Sequence, residues 1–203
     1  MDDDLRRRLG ATVGAGGVDG DGVVRPTNLA QLREVLMACE ASGASAAPAT
    51  FPRPAADVLV DVDRLDGVRL DAAALLLHAG GGTPWAAIRE ATSAQRFAVT
   101  GLPMTRSDTA GESVAHGEIA HRTLAGVHLL TPAGRLISAG GRTLKDVVGY
   151  DLPGIALGSG IRLGLIAAVT LRLEPAGART AVEPGPGLWR GDAEIDLAAA
   201  FAR

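Results

Sequence analysis

The sequence predicts an α+β protein, and three observations carry this prediction. The predicted elements run strand, helix, strand, strand, strand, helix and then hairpins, which does not fit the regular alternation of βαβ units. The chain has 203 residues, enough for one large domain or two small lobes with cores of their own. Hydrophobic residues make up 47% of it, as in ordinary globular domains.

These elements divide the chain into four parts. Residues 1–20 are rich in glycine and charge, and we expect a flexible N-terminus there. The folded domain is expected over 21–175, with a small lobe to about residue 65 and a larger mixed sheet over 66–175. Beyond Pro175, residues 176–203 are expected to form a tail with a short helix.

The small lobe begins with a short strand followed by a helix. Val23 and Val24 form the strand, and Pro26 ends it. Thr27 or Asn28 caps the helix, since both side chains can accept a hydrogen bond from the first turn. Helical spacing links Leu29, Leu32, Val35, Leu36 and Cys39, and Gly43 suits the position after the helix end.

Further elements follow in the larger lobe. We expect strands at Val58–Val62 and Leu75–His78, and then a helix with Thr83 as N-cap and Pro84 at its first position. Two apolar runs around Pro132 and Gly134 predict a hairpin. The last strand alternates, with Val169, Leu171 and Leu173 on its buried face.

Composition excludes several classes of function. A net charge of −3 gives no reason to expect nucleic acid or an anionic membrane as a partner. No run of apolar residues approaches the length of a membrane span, and no secretory leader is evident. The single cysteine, Cys39, suits a reducing compartment, so a cytoplasmic location is expected.

Two candidate sites can be set aside on their spacing. His116, Glu118 and His121 suggest a metal site, but the two histidines, five apart, lie on different faces of a helix. The glycine-rich run at 78–85 matches neither the dinucleotide fingerprint nor the Walker loop. It is expected to be a tight turn before the helix at Thr83.

One stretch of the sequence remains unexplained by composition. Lys145 and Tyr150 are the only lysine and tyrosine of the chain. Gly158, Gly160 and Gly164 follow, just before the last strand. Such glycines either let the backbone approach a ligand and present N–H groups to it, or simply form a bend. The residues alone leave both interpretations open.

The stretch "GGRTLKDVVGYDLPGIALGSGIRLGLIAAVTLRLEP" (140–175) resembles the end of the FAD-binding domain in the FAD-linked oxidase family, also called the vanillyl-alcohol oxidase or PCMH-type flavoproteins. The closest likeness is to the FAD-binding subunit of bacterial glycolate oxidase. The matching motifs are K-[DN]-x-x-G-Y-D-L, then G-S-x-G-x-L-G-x-I, then V-T-L-x-L-x-P. Weaker likeness extends over residues 20–175.

This resemblance implies a PCMH-type FAD-binding domain of two α+β lobes with mixed sheets, lacking the family's C-terminal cap domain. It also implies non-covalent FAD, with Lys145 and Tyr150 near the flavin edge or bracing its loop. The residues it assigns to the cofactor are Thr109, Ala110, Gly111, Lys145, Gly149, Tyr150, Asp151, Gly158, Ser159, Gly160, Gly164 and Ile166.

Two departures from the family pattern concern the phosphate side of the site. The family's glycine loop for the FAD pyrophosphate should fall at "APATFPRPAAD" (47–57), which has no glycine and three prolines. In the family's T-x-G-G segment, Glu112 replaces the second glycine and brings a negative charge towards the cofactor.

The resemblance therefore implies two hypotheses. In the first, the chain is a flavoprotein subunit that works with other subunits of an oxidoreductase complex on a small 2-hydroxy acid. In the second, it is a structural subunit that keeps the fold for assembly and no longer binds flavin.

Overall fold

The computed structural model describes residues 1–49, 55–101, 107–140, 151–160 and 162–177. The predicted tail, apart from its first residues, and the segment with Lys145, Gly149 and Tyr150 lie outside these ranges. The helices are α1 Asp3–Val13, α2 Leu29–Ala41, α3 Trp85–Ala94, α4 Ala110–Ala115 and α5 Leu152–Ala156. The strands are β1 Val23–Val24, β2 Ala46–Pro48, β3 Val58–Val60, β4 Val68–Asp71, β5 Leu76–Gly80, β6 Phe97–Val99, β7 Leu124–Leu130, β8 Leu136–Gly140 and β9 Leu165–Pro175.

A small parallel sheet is built from the first three strands. Its order is β1-β3-β2, and Leu59 of the central strand is paired with Val23 on one side and Ala47 on the other. Parallel neighbours need a crossover, and α2 lies in the connection from β1 to β2. Asn28, not Thr27, caps α2 by accepting a hydrogen bond from the Gln31 N–H at 2.9 Å.

A larger antiparallel sheet of six strands follows, in the order β4-β5-β9-β7-β8, with β6 paired to the end of β9. β9 is the central strand, and the predicted inward residues Val169, Leu171 and Leu173 are buried. The hairpin of β7 and β8 turns at Gly134, where φ is +67°. The predicted α+β class is confirmed by these two sheets with their helices.

The N-terminus differs from the flexible segment that its composition predicts. Asp2 caps α1, accepting from the Leu5 N–H at 2.7 Å. Leu5, Leu9 and Val13 recur every four residues and are buried against α2 and the small sheet. The apolar spacing of these three residues was the signal for the helix, and the charged residues around it obscured that signal.

The two sheets share part of their core. A cluster of buried residues joins α1, α2 and the small sheet to Leu130, Leu165 and Ala167 of the larger sheet. A second cluster lies on the larger sheet alone, where Trp85 and Ile88 of α3 pack with the strands. The small sheet is therefore packed directly against the first residues of β9.

Two element boundaries differ from the prediction for local reasons. β5 begins after Leu75 rather than at it, because Leu75 has a φ of +54°, outside the strand region. The N-cap of α3 is Pro84 and makes no side-chain hydrogen bond, whereas the Thr83 hydroxyl donates to the Gly67 carbonyl at 3.1 Å. Thr83 thus ties the helix entry to the start of β4.

Adjacent substitutions in α1 test whether this helix belongs to the core. Leu9 is fully buried, so Leu9→Ala should lower the free energy of unfolding by about 2–5 kcal/mol. A Cβ at Gly10 would meet no atom within 4 Å, so Gly10→Ala should raise it by roughly 0.5–1 kcal/mol. Denaturant titration measures both. Two variants indistinguishable from the parent protein would show that α1 does not contribute to the fold.

Candidate functional site

A cleft between the two sheets brings together residues from distant parts of the chain. The end of β2 and Val62 form one wall, α4 forms the second, and the segment leading into β9 forms the floor. The cleft is partly open to solvent, and its volume is about 50 Å³. The lining residues are Pro48, Val62, Gly111, Glu112, Ala115, His116, Gly160, Gly164, Leu165 and Ile166. Four of them, Gly111, Gly160, Gly164 and Ile166, belong to the site residues predicted from sequence.

The segment Thr109–Glu112 forms the first turn of α4. The Thr109 hydroxyl caps the helix, accepting from the Glu112 N–H at 3.4 Å. The next two N–H groups bind the chain before α3: Ala110 donates to the Thr83 carbonyl at 3.0 Å and Gly111 to the Gly81 carbonyl at 2.8 Å. The N–H groups at this helix end are therefore engaged within the protein.

Three consecutive glycines, Gly80 to Gly82, allow this turn to lie against the chain at 62–65 and against β9. A Cβ on them would collide with the carbonyl oxygens of Leu65, Ile166 and Val62, in that order. The segment is a tight turn, as predicted, closed by the Thr83 N–H donating to the Gly80 carbonyl at 3.1 Å. Its glycines are required by backbone packing between the sheets.

The glycine loop before β9 caps α4 at its other end. The Gly158 N–H donates to the Val114 carbonyl at 2.9 Å, and the Gly160 N–H donates to the Ala115 carbonyl at 2.8 Å. The N–H and hydroxyl of Ser159 both donate to the carbonyl of Ala156. The sequence left open whether these N–H groups face a ligand, and the structure directs all three to protein carbonyls.

Gly164 and Ile166 form the floor of the cleft. Gly164 has a φ of +137°, and a Cβ there would collide with the Leu130 carbonyl, so only glycine suits this approach to β7. Ile166 pairs with Leu129 and is buried. The two residues fix the start of β9, and with it the position of the floor.

Asp151 has a structural role at α5 and is not among the residues that line the cleft. Its carboxylate accepts from the Gly154 N–H at 3.0 Å and pairs with His121 Nε2 at 2.6 Å. The hydrogen bond from Gly154 and then the one from His121 lower the pKa of Asp151 below its ordinary value. Lys145, Gly149 and Tyr150, just before it, lie outside the described residues.

Carboxylates gather at one rim of the cleft. Glu112 lines the cleft directly, and the backbone of Asp63, next to the lining residue Val62, lies against Gly82. Partial desolvation raises the pKa of Asp63. The negative charges of Asp61, Glu112 and Asp108 raise it further, and the positive charge of Arg25 lowers it. This rim therefore carries a concentrated negative charge.

The histidines and acids that suggested a metal bind other partners. His116 Nδ1 contacts the Ser107 hydroxyl at 3.0 Å, and Glu118 accepts from the Ser107 N–H and the Ser113 hydroxyl. Within the described part of the chain, no group of three or more His, Cys, Asp or Glu residues could hold a metal ion. The same part has no helix long and apolar enough to cross a membrane.

Several cleft residues were not predicted from sequence. Pro48 and Val62 approach the cleft from the small lobe, and Ala115 and Leu165 add apolar surface to it. Pro48 ends β2 and forms part of the wall. Pro52 and Pro54, the other prolines of the stretch where the family's glycine loop is expected, lie outside the described residues.

Sequence comparisons with family models and with curated proteins find no match. Comparison with solved structures does find matches. The chain resembles the xylooligosaccharide oxidase from Myceliophthora thermophila C1 with a TM-score of 0.67 and 14% identity, over 84% of this chain and 43% of that one. It resembles alkyldihydroxyacetonephosphate synthase with a TM-score of 0.68 and 14% identity, over 86% of this chain and 41% of that one.

A third solved structure, Phl p 4.0202, described as a glucose dehydrogenase, gives a TM-score of 0.60 and 16% identity over 82% of this chain and 39% of that one. The chain thus spans about two fifths of the length of these proteins. The predicted PCMH-type FAD-binding fold is confirmed. The finer resemblance to the glycolate oxidase subunit stays a prediction.

Replacing Asp63 tests the electrostatics of the rim. The pKa of the Asp63 carboxyl is higher in the folded protein than its ordinary value of 3.8, so the folded protein binds the carboxyl proton more tightly than the unfolded chain does. The protein therefore loses stability as the pH rises from 3.8 through the pKa of the folded state. Asp63→Asn removes this loss of stability, so the melting temperature of the variant should exceed that of the parent protein near neutral pH. The difference should vanish below pH 3.8.

Asp21→Asn serves as the matched control, because Asp21 is an exposed aspartate in the N-terminal loop. An Asp63→Asn protein that melts no higher than this control near neutral pH would contradict the raised pKa of Asp63, which desolvation and then the neighbouring carboxylates cause.

Proposed function

We propose that this chain is the flavin-binding domain of a flavin-dependent oxidoreductase and holds FAD non-covalently in the cleft between its two sheets. One observation carries the proposal. The family resemblance assigns Gly111 to the cofactor, and also Gly160, Gly164 and Ile166, some fifty residues further along the sequence; all four line the same cleft. Ligands commonly bind in such clefts between packed layers.

The apolar lining of the cleft suits contact with one edge of a flavin ring, since a volume of about 50 Å³ is too small to hold the whole ring system. Pro48 and Val62 lie on one side, with Ala115, Leu165 and Ile166 on the other sides. A flat, largely apolar ring is recognised by such surfaces, with a few polar groups to fix its orientation. When bound, a flavin supplies hydride transfer, and the protein supplies orientation and the exclusion of water.

The described residues do not fit the diphosphate of FAD. The N–H groups at the start of α4 and those of Gly158–Gly160 are held by protein carbonyls. Glu112 adds a like charge. A diphosphate is bound by N–H groups that are free to donate hydrogen bonds and by positively charged side chains.

Substrate and partners follow from the sequence resemblance. We propose a small 2-hydroxy acid as the substrate, with other subunits of an oxidoreductase complex supplying the surface that binds it. A single cysteine, Cys39, is the basis for proposing a cytoplasmic location.

A structural role is the second candidate, and the engaged N–H groups favour it. The N–H groups of Ala110, Gly111 and Gly158–Gly160 bind carbonyls of the protein itself, so these contacts hold without a cofactor. Such a subunit would serve to assemble a complex and would bind no flavin.

Blocking the cleft distinguishes the two candidates. Purified protein should quench flavin fluorescence on titration, and Ala115→Phe, which fills the cleft from α4, should weaken binding about 10-fold or more, the equivalent of ~1.4 kcal/mol. Ala86→Phe places the same ring on the exposed side of α3 and should leave binding unchanged. Circular dichroism confirms that both variants are folded.

A protein that binds no flavin would support the structural role. Equal binding by the parent protein and Ala115→Phe would show that the flavin lies elsewhere.

A further inference from the structure

We infer that a groove at the end of β9 is the docking site of the chain's own C-terminal segment, and that the side chain of Trp189 occupies it. The inference does not depend on the proposed function, because the cleft lies at the start of β9 and the groove at its end. The 11 residues of β9 separate the two by roughly 30 Å.

The groove is formed where α3, β6 and the last residues of β9 meet. Phe97 and Val99 of β6 are its largest apolar lining residues, the second half of α3 forms one wall, and Pro175 lies on the other side. Its volume is about 360 Å³, and it is partly open to solvent. A space of this size is large enough to enclose an aromatic side chain.

The described part of β9 leads the chain directly into this groove. Gly177, the last residue described after β9, lines the groove together with Glu174 and Pro175. Residues 178–203 follow without a break in the sequence and therefore begin at the rim. A binding segment that is tethered by a short linker acts at an effective concentration in the millimolar range, so modest contacts are enough to dock it.

The sequence of this segment supplies a turn and then an aromatic side chain. Residues 184–187 read P-G-P-G, and alternating proline and glycine predict a reversal of the chain. Leu188 and Trp189 come next. Trp189 follows Gly177 by twelve positions, a length of chain that can reach up to roughly 40 Å, so a return to the groove is well within its reach.

The chemistry of the groove suits an indole ring. Enclosing an indole buries about 150–250 Å², and Phe97 and Val99 offer apolar surface for that contact. Arg89, which is exposed on α3, can lie over the face of the ring. The Ser93 hydroxyl on the same wall can accept a hydrogen bond from the indole N–H.

The charges of the groove and of the segment are complementary. Arg89 lies on the α3 side of the groove and Glu174 on the β9 side. In the segment, Arg190 follows Trp189 directly, and Asp192 lies two positions further. Pairing Arg190 with Glu174, and the aspartate with the arginine of α3, fixes the direction in which the segment crosses the groove.

Fluorine NMR of the full chain tests this inference. Trp85 and Trp189 are the two tryptophans of the chain, so protein labelled with fluorotryptophan gives two resonances, and Trp189→Phe identifies the one that belongs to Trp189. In the folded protein the Trp189 resonance should lie away from its position in urea. It should also be protected from a soluble paramagnetic agent.

Filling the groove gives the second arm of the test. Ser93→Phe places a ring in the groove from α3 and should shift the Trp189 resonance to the position that it has in urea. Ala94→Phe changes the next residue of the helix, which is exposed and is not among the lining residues, and should leave the resonance unchanged. The resonance of Trp85, which is buried in the core, shows that each variant is folded.

Three outcomes would overturn the inference. The Trp189 resonance of the parent protein could lie at its position in urea and be open to the paramagnetic agent. A shifted resonance that Ser93→Phe leaves in place would show that Trp189 is docked elsewhere. A shift that disappears on dilution, together with a dimer in sedimentation, would place the segment on a second copy of the chain. None of these measurements uses a flavin, so the proposed function stands or falls separately.

Discussion

The close approach of three backbone segments at Gly80–Gly82 is the constraint on which the rest of the structure depends. The turn passes between Leu65 at the end of the small lobe and Ile166 at the start of the central strand, with no room for a side chain. Its carbonyls then receive the N–H groups that begin α4. One turn therefore joins the small lobe, the large sheet and the helix of the candidate site.

The same constraint explains the character of the cleft. Because α4 is held at its start by the glycine turn and at its end by Gly158–Gly160, its position is fixed from both sides. The cleft that results is narrow and apolar, and the described N–H groups of Gly111, Gly158 and Gly160 beside it are bound to protein carbonyls. These bonds hold the helix in place whether or not a ligand is bound, so they are compatible with both candidate functions.

The sequence predicted those parts of the fold that depend on local patterns. The alternation of β9, the cap of α2 at Asn28 and the hairpin at Gly134 can each be read from a few adjacent residues. α1 was missed because charged residues surround its three apolar positions. The partners of the glycine N–H groups could not be predicted, because each partner comes from a segment distant in the chain and composition gives no sign of it.

Measuring the stability of Gly81→Ala tests the central role of the glycine turn most directly. A methyl group at Gly81 would collide with the Ile166 carbonyl, and neither backbone segment can move without disturbing a sheet. The free energy of unfolding in denaturant should fall by about 2 kcal/mol or more, in line with overpacking. Gly20→Ala, where a Cβ meets no atom within 4 Å, should leave it nearly unchanged. Equal stability of the two variants would contradict the account.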